Sequence, residues 1–281
     1  MKAPIKVSGL FIYPIKSCGA IPCQQVLITP KGLMLDREWM IVNDRGQFMS
    51  QRKYAQMAKI RVQLSSETLT LNYENCEPFE LPLTRNGEER EVTVWQSNTI
   101  AIDLGDAVAQ WLESALELNH PCRLVRQSPK YPRAVASEYA ITPKDTVSFA
   151  DGYPLLLTNT ASLAQLNQKL QARYPTEPNG LQVPMARFRP NVVIETNEPF
   201  IEDSWQEITI GEANFKPAKP CSRCIVTTTD QQTGVRSDFG EPLKTLATFR
   251  KQPTGIMFGQ NLIPTNLGSG QIQLGASLTA S

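Results

Sequence analysis

Arg37-Glu-Trp-Met-Ile-Val-Asn-Asp-Arg-Gly-Gln-Phe-Met49 reads as a strand, a tight turn and a second strand. Trp39 to Val42 is an aromatic and β-branched run of the kind that fits a pleated surface. Asn43-Asp-Arg-Gly46 has hairpin-turn chemistry, and Gly46 can take the positive φ such a turn needs. The same grammar extends outward in both directions. Val7–Tyr13 and Gln25–Thr29 precede this hairpin, and Arg61–Leu64, Leu69–Tyr73 and Glu91–Trp95 follow it. Many short strands separated by turn residues predict a small barrel or sandwich.

The character changes after residue 100. Ala107, Val108, Trp111, Leu112, Ala115 and Leu116 recur at helical spacing and predict an amphipathic helix over 106–118. Residues 121–133 carry Arg123, Arg126, Lys130 and Arg133 beside three prolines and read as a solvated linker. A nucleic-acid patch is disfavoured there because only Tyr131 could stack a base. Beyond it the spacing predicts strands at 153–158, 191–195, 205–210 and 225–229. Helices are predicted at 162–174 and from Pro242, and a short closing strand at 272–274. The chain therefore reads as mixed β-rich α+β: an N-terminal β-rich domain over 1–120 and a mixed domain over 121–281.

Composition narrows the function. Among 281 residues, 28 Lys and Arg face 27 Asp and Glu. That balance argues against a protein that coats nucleic acid or an anionic membrane. No apolar run approaches the length that crosses a bilayer. The N-terminus runs straight into a strand pattern without a signal-peptide core, which predicts a cytoplasmic protein with reduced thiols. His120 is the single histidine, so neither a three-histidine zinc site nor an H-E-x-x-H helix can be built. At a helix end, His120 reads as a residue satisfied by local partners. Glycine-rich nucleotide loops and the G-x-S-x-G elbow are missing as well.

Lys219-Pro-Cys-Ser-Arg-Cys-Ile-Val226 is the most unusual string. Cationic neighbours favour thiolate, the form that attacks or binds a soft metal. A zinc half-site, a redox pair, a single thiolate on a metal completed by a cofactor, and two buried small residues all remain open. Tyr13-Pro-Ile-Lys-Ser-Cys18 offers Lys16 and Ser17 at a strand end, which is anion-site chemistry. Arg37 stands at the edge of a strand bound for burial and needs a partner, either Asp36 or a ligand phosphate. Arg189 and Asn191 precede another buried strand, and Pro190 should keep Arg189 extended. Taken singly, each arginine reads most simply as an ion pair.

Together, Tyr-Pro-Ile-Lys-Ser-Cys, Leu-Asp-Arg-Glu-Trp, Phe-Arg-Pro-Asn-Val, Glu202-Asp-Ser-Trp205 and Pro-Cys-Ser-Arg-Cys, in this order, resemble the MOSC-domain proteins. The likeness is to the branch with an N-terminal MOSC β-barrel domain, which includes the amidoxime-reducing components. It implies an N-terminal β-barrel-like domain followed by a C-terminal MOSC β-barrel with peripheral helices. It further implies a molybdenum–molybdopterin cofactor (Moco) with Cys224 as the protein ligand of the metal and Cys221 as its neighbour. By the same resemblance Lys16, Ser17, Arg37, Arg189 and Arg223 contact phosphate and pterin. Asn191 and Ser222 orient the ring, Asp151 accepts from pterin N–H groups, and Asn261 contributes through its backbone. The implied reaction reduces N-hydroxylated compounds: amidoximes, hydroxylamines and N-hydroxylated bases. The implied alternative is a cofactor-binding or sulfur-carrier protein. No cysteine follows Cys224, so an external ferredoxin or flavin reductase is expected to supply electrons, with Arg123–Arg133 as a basic docking surface.

Overall fold

A computed structural model describes residues 4–83, 86–176, 181–268 and 270–281. Its centre is a closed barrel of seven strands. In order around the barrel they are Leu155–Asn159, Val192–Glu195, Ile5–Ile12, Ser277–Ala280, Ile208–Ile210, Ala213–Arg223 and Gly255–Asn266, which pairs back onto Leu155–Asn159. One pairing is parallel, between Leu155–Asn159 and Val192–Glu195. The helix Thr160–Arg173 makes that crossover, and the Asn159 side chain caps it by accepting from the Ala161 N–H at 2.9 Å. Alternation places Val7, Leu157, Ile194, Ile208, Phe215 and Leu262 in one apolar core. Fully burying side chains of this size contributes about 1.5–3 kcal/mol each.

A half-barrel forms the second body. Trp39–Asn43, Cys122–Gln127, Ser97–Asp103 and Glu89–Val94 make a four-stranded sheet, and Arg61–Leu64, Thr68–Asn72 and Phe79–Pro82 a three-stranded one. The helix Asp106–Ala115 closes their shared core through Val108 and Leu112. The hairpin at Asn43–Gly46 forms as expected, with Gly46 at φ 72°.

Three expectations need correction. The segment read as a linker holds the strand Cys122–Gln127, which lies between Trp39–Asn43 and Ser97–Asp103. Its arginines hid the strand pattern, but Arg126 is buried against Glu38 at 3.0 Å and Arg133 donates to the Ser148 and Ala150 carbonyls. Strands are exchanged between the two bodies: Ile5–Ile12 sits in the barrel, and Cys122–Gln127 sits in the half-barrel. Ile225–Thr228 is a 3-10 turn rather than a strand. The Thr227 and Thr228 hydroxyls donate back to the Cys224 and Ile225 carbonyls at 2.9 and 2.7 Å, an alternative to sheet pairing. Finally, the chain does not close at Gln271–Gln273; Ser277–Ala280 follows and joins the barrel.

The long strand Ala213–Arg223 went unread because Pro217 and Pro220 interrupt it. Register shifts between Pro217 and Lys219 and between Pro220 and Ser222 show how the sheet absorbs them. The cysteine motif therefore ends a strand instead of opening one.

Candidate functional site

A cleft of about 540 Å³ lies where the barrel meets the half-barrel. All ten candidate residues line it: Lys16, Ser17, Arg37, Asp151, Arg189, Asn191, Ser222, Arg223, Cys224 and Asn261. They arrive on separate elements. Lys16 and Ser17 follow the crossing from barrel to half-barrel, and Asp151 lies in the loop before Leu155–Asn159. Arg189 caps the 3-10 turn Met185–Phe188, Ser222 and Arg223 end a barrel strand, and Asn261 lies on its neighbour. Six cationic side chains and two carboxylates face the cleft, an excess that suits an anionic ligand.

Lys16 is buried, with its Nζ 2.7 Å from the Phe149 carbonyl and 2.5 Å from Asp151 Oδ1. Trp95 Nε1 donates to the same carboxylate oxygen at 3.1 Å. Desolvation opposes ionisation of Asp151, but Lys16 and Trp95 outweigh it and hold the carboxyl well below the usual range. Such a carboxyl contributes stability above its ordinary value of 3.8 and loses it as pH falls through the lower folded value. The gap in melting temperature between wild type and Asp151→Asn is therefore expected to stay level from about pH 8 to pH 5 and to close only in stronger acid. A gap already closed at pH 5 would show that the pair with Lys16 does not form.

Arg37 has the carboxylate partner that burial demanded. Its Nη1 lies 2.7 and 2.6 Å from the two oxygens of buried Asp36 and 3.1 Å from Asn191 Oδ1, while Nη2 donates to the Arg189 carbonyl at 3.2 Å. Asn191 also accepts from Leu156 N and donates to the Phe11 carbonyl, so its amide ties two barrel strands to Arg37. Arg189 is not extended as Pro190 suggested. It takes φ 54° and ψ 49° at the end of its 3-10 turn, where its N–H closes onto Ala186. From there Nη1 reaches Gln231 Oε1 at 2.9 Å. Burial brings Arg189 down to about 10, leaving it charged near neutrality. Ser17, Arg37, Trp95 and Arg189 are four of the eight described non-glycine residues with positive φ, so backbone strain gathers at this cleft.

The two cysteines differ in a way their spacing could not reveal. Cys221 Sγ already accepts from Arg223 Nη1 at 2.9 Å. Cys224, half-buried at the head of the following 3-10 turn, is pinned through its carbonyl by Thr227, and its sulfur makes no hydrogen bond to any described residue. Among the described residues, no three His, Cys, Asp or Glu side chains gather to hold a metal. A metal on Cys224 must therefore take its remaining ligands from elsewhere. Beside it, Gly255 makes room for Ser222: a Cβ there would meet Ser222 Oγ at 2.1 Å.

Sequence reasoning missed Arg52, Trp95, Phe48, Glu138 and Tyr153 on the cleft walls. Arg52 stacks 4.2 Å over the Trp95 ring, whose centroid is 4.6 Å from that of Phe48. Trp95 occupies a hairpin turn at φ 54°, and an aromatic in a turn is the signal the sequence carries for it. The expected basic docking surface dissolves. Arg126 and Arg133 are buried, Arg123 is bound to Asp103 and Asp106, and Lys130 pairs with Glu89. His120 is satisfied locally, 2.8 Å from the Tyr54 hydroxyl.

A barrel fused to a half-barrel around a thiol- and arginine-lined cleft defines a class, and the sequence comparison agrees. Residues 4–119 match the MOSC N-terminal beta barrel domain and residues 144–279 the MOSC domain. The chain belongs to the MOSC-domain family, in the branch that carries both domains. It is 34% identical to mitochondrial amidoxime-reducing component 1 of Homo sapiens over 285 residues, covering 94% of this chain and 80% of that protein. The Mus musculus protein of the same name is also 34% identical, over 87% of this chain and 71% of its own length. The molybdenum cofactor sulfurase of Danio rerio is 32% identical across 87% of this chain, which spans 30% of that larger protein. No helix among the described residues is long and apolar enough to cross a membrane.

Proposed function

We propose that this chain is a molybdenum-cofactor-dependent reductase of N-hydroxylated compounds. The observation that carries the reading is the uncommitted Cys224 sulfur, held half-buried in a cleft ringed by cationic donors. Cys224 would ligate the metal, and Lys16, Ser17, Arg37, Arg189 and Arg223 would receive the phosphate and the pterin edge. The donor set suits such a ligand: Arg223 Nε is buried without a partner, and both Arg223 and Arg37 are already braced by backbone carbonyls. Asp151, with Oδ1 held by Lys16 and Trp95, keeps Oδ2 to accept from pterin N–H groups. Asn191 acts through Arg37, while Ser222 and Asn261 line the walls.

When bound, the cofactor supplies soft sulfur ligands and two-electron chemistry with an oxygen atom. In the overall reaction the N–O bond breaks, two electrons and two protons enter, and an amine or amidine leaves with water. Electrons come from an external ferredoxin or flavin reductase. Relatives named as sulfurases favour one second reading, a cofactor-binding or sulfur-carrier protein. A carrier needs a mobile cysteine, whereas the turn pinned by Thr227 holds Cys224 in place.

The test is the molybdenum and pterin content of protein purified from cells that make the cofactor, with turnover of an aromatic amidoxime by a reduced viologen. Near-stoichiometric molybdenum and one amidine per two electrons are expected. Molybdenum without turnover would favour the carrier, and the absence of both metal and pterin would overturn the reading.

A further inference from the structure

We propose that Tyr13 is a positioning residue whose ring, packed against the guanidinium groups of both Arg37 and Arg189, sets these two cations as one clamp for a phosphate group. The Arg37 guanidinium carbon lies 4.1 Å from the ring centroid and that of Arg189 lies 4.3 Å from it. Two positive groups brought this close repel, and an aromatic face offered to each is an attraction that offsets it. Tyr13 is buried, and burial pushes its phenol up to about 12, so the ring beside the cations stays neutral.

The rest of Tyr13 is fixed just as firmly. Its N–H donates to Asp36 Oδ1 at 2.8 Å, its carbonyl accepts from Arg37 N at 2.8 Å, and its hydroxyl donates to the Pro190 carbonyl at 3.2 Å. One residue thereby touches the backbone beside each arginine. It stands where the chain leaves the barrel strand Ile5–Ile12 for the half-barrel, so the clamp is assembled across the junction between the two bodies. Arg37 and Arg189 both hold left-handed backbone conformations, a cost sustained only where the surroundings over-determine it. The outer ends of the two side chains are likewise tied, to Asp36 and Asn191 on one side and to Gln231 on the other.

This inference rests on the reading that the cleft takes a phosphorylated ligand. The test uses the full chain from cells unable to make the cofactor, titrated with inorganic phosphate, and in parallel the pterin retained by protein from cells that do make it. Tyr13→Leu is expected to weaken phosphate binding about tenfold, while Tyr13→Phe, which keeps the ring, stays within about threefold of wild type. Because Tyr13 acts through the arginines, the leucine effect should largely vanish in an Arg189→Gln background. A purely structural role would leave it intact there.

Should Tyr13→Leu fail to fold, the wild-type protein still decides. The guanidinium NMR signals of Arg37 and Arg189 should shift together on phosphate titration, and movement of only one overturns the clamp. A folded Tyr13→Leu protein that binds phosphate and retains pterin like wild type also overturns it, with the reductase reading untouched. Phosphate binding that depends on Tyr13 in a chain that never acquires pterin upholds the clamp and sinks the reductase reading.

Discussion

Cys224→Ala is expected to leave the protein folded but without molybdenum, and to lower amidoxime turnover by more than about a hundredfold. Removing an outer-shell partner of a metal ligand costs roughly 10–100-fold in affinity or activity, and losing the protein's own ligand must exceed that. The fold should survive because the Cys224 carbonyl, not its sulfur, closes the turn onto Thr227. Cys221→Ala is the informative comparison. Its sulfur serves Arg223, so that variant should keep its molybdenum and lose no more than about tenfold in turnover. Metal analysis and steady-state assay of the two variants decide the matter. Molybdenum retained without Cys224, or lost without Cys221, would reverse the assignment.

Glu38→Ala is expected to destabilise the protein by about 3–5 kcal/mol without touching the cleft. Glu38 and Arg126 lie within the half-barrel with side chains 9% and 4% exposed, and removing the acid takes the carboxylate away from a buried guanidinium. Arg126 would keep other contacts, among them the Leu83 carbonyl at 2.8 Å and the Trp39 ring, but neither of these two carries a neutralising charge. Chemical denaturation should show the loss as a lower midpoint with an unchanged slope. The double variant Glu38→Ala/Arg126→Met should recover much of it, since an apolar replacement removes the buried charge that has lost its carboxylate. A single-variant loss under about 1 kcal/mol would show that water reaches Arg126 after all.

Much of the architecture was legible because its signals are local. Hairpin chemistry at Asn43–Gly46, alternation in short strands and the apolar stripe over 106–118 each act within a dozen residues. The misread segments are those where tertiary contacts override a local rule. Arginines in Cys122–Gln127 look solvent-facing until Glu38, at the head of the neighbouring strand Trp39–Asn43, neutralises one of them. Prolines in Ala213–Arg223 look like strand breakers until bulges absorb them. The β-branched run Ile225–Thr228 looks like a strand until its own hydroxyls satisfy its carbonyls.

The candidate site divides the same way. Residue types pointed to Lys16, Ser17, Arg37, Arg189, Asn191 and the cysteine–arginine string, because thiols, amides and cations on strand ends are chemistry that a string of letters carries; the choice of Cys224, with Asp151, Ser222 and Asn261, came only from the family resemblance. Sequence could not say which cysteine is uncommitted, which of its two candidate partners Arg37 takes, or that Tyr13 packs against two guanidinium groups. Only Tyr13 and Arg189 lie more than a hundred positions apart; Cys221 with Arg223 and Asp36 with Arg37 are near neighbours whose side-chain geometry the folded chain alone fixes. These arrangements were decided only when the barrel closed on Ile5–Ile12 and brought the two ends of the chain to one cleft.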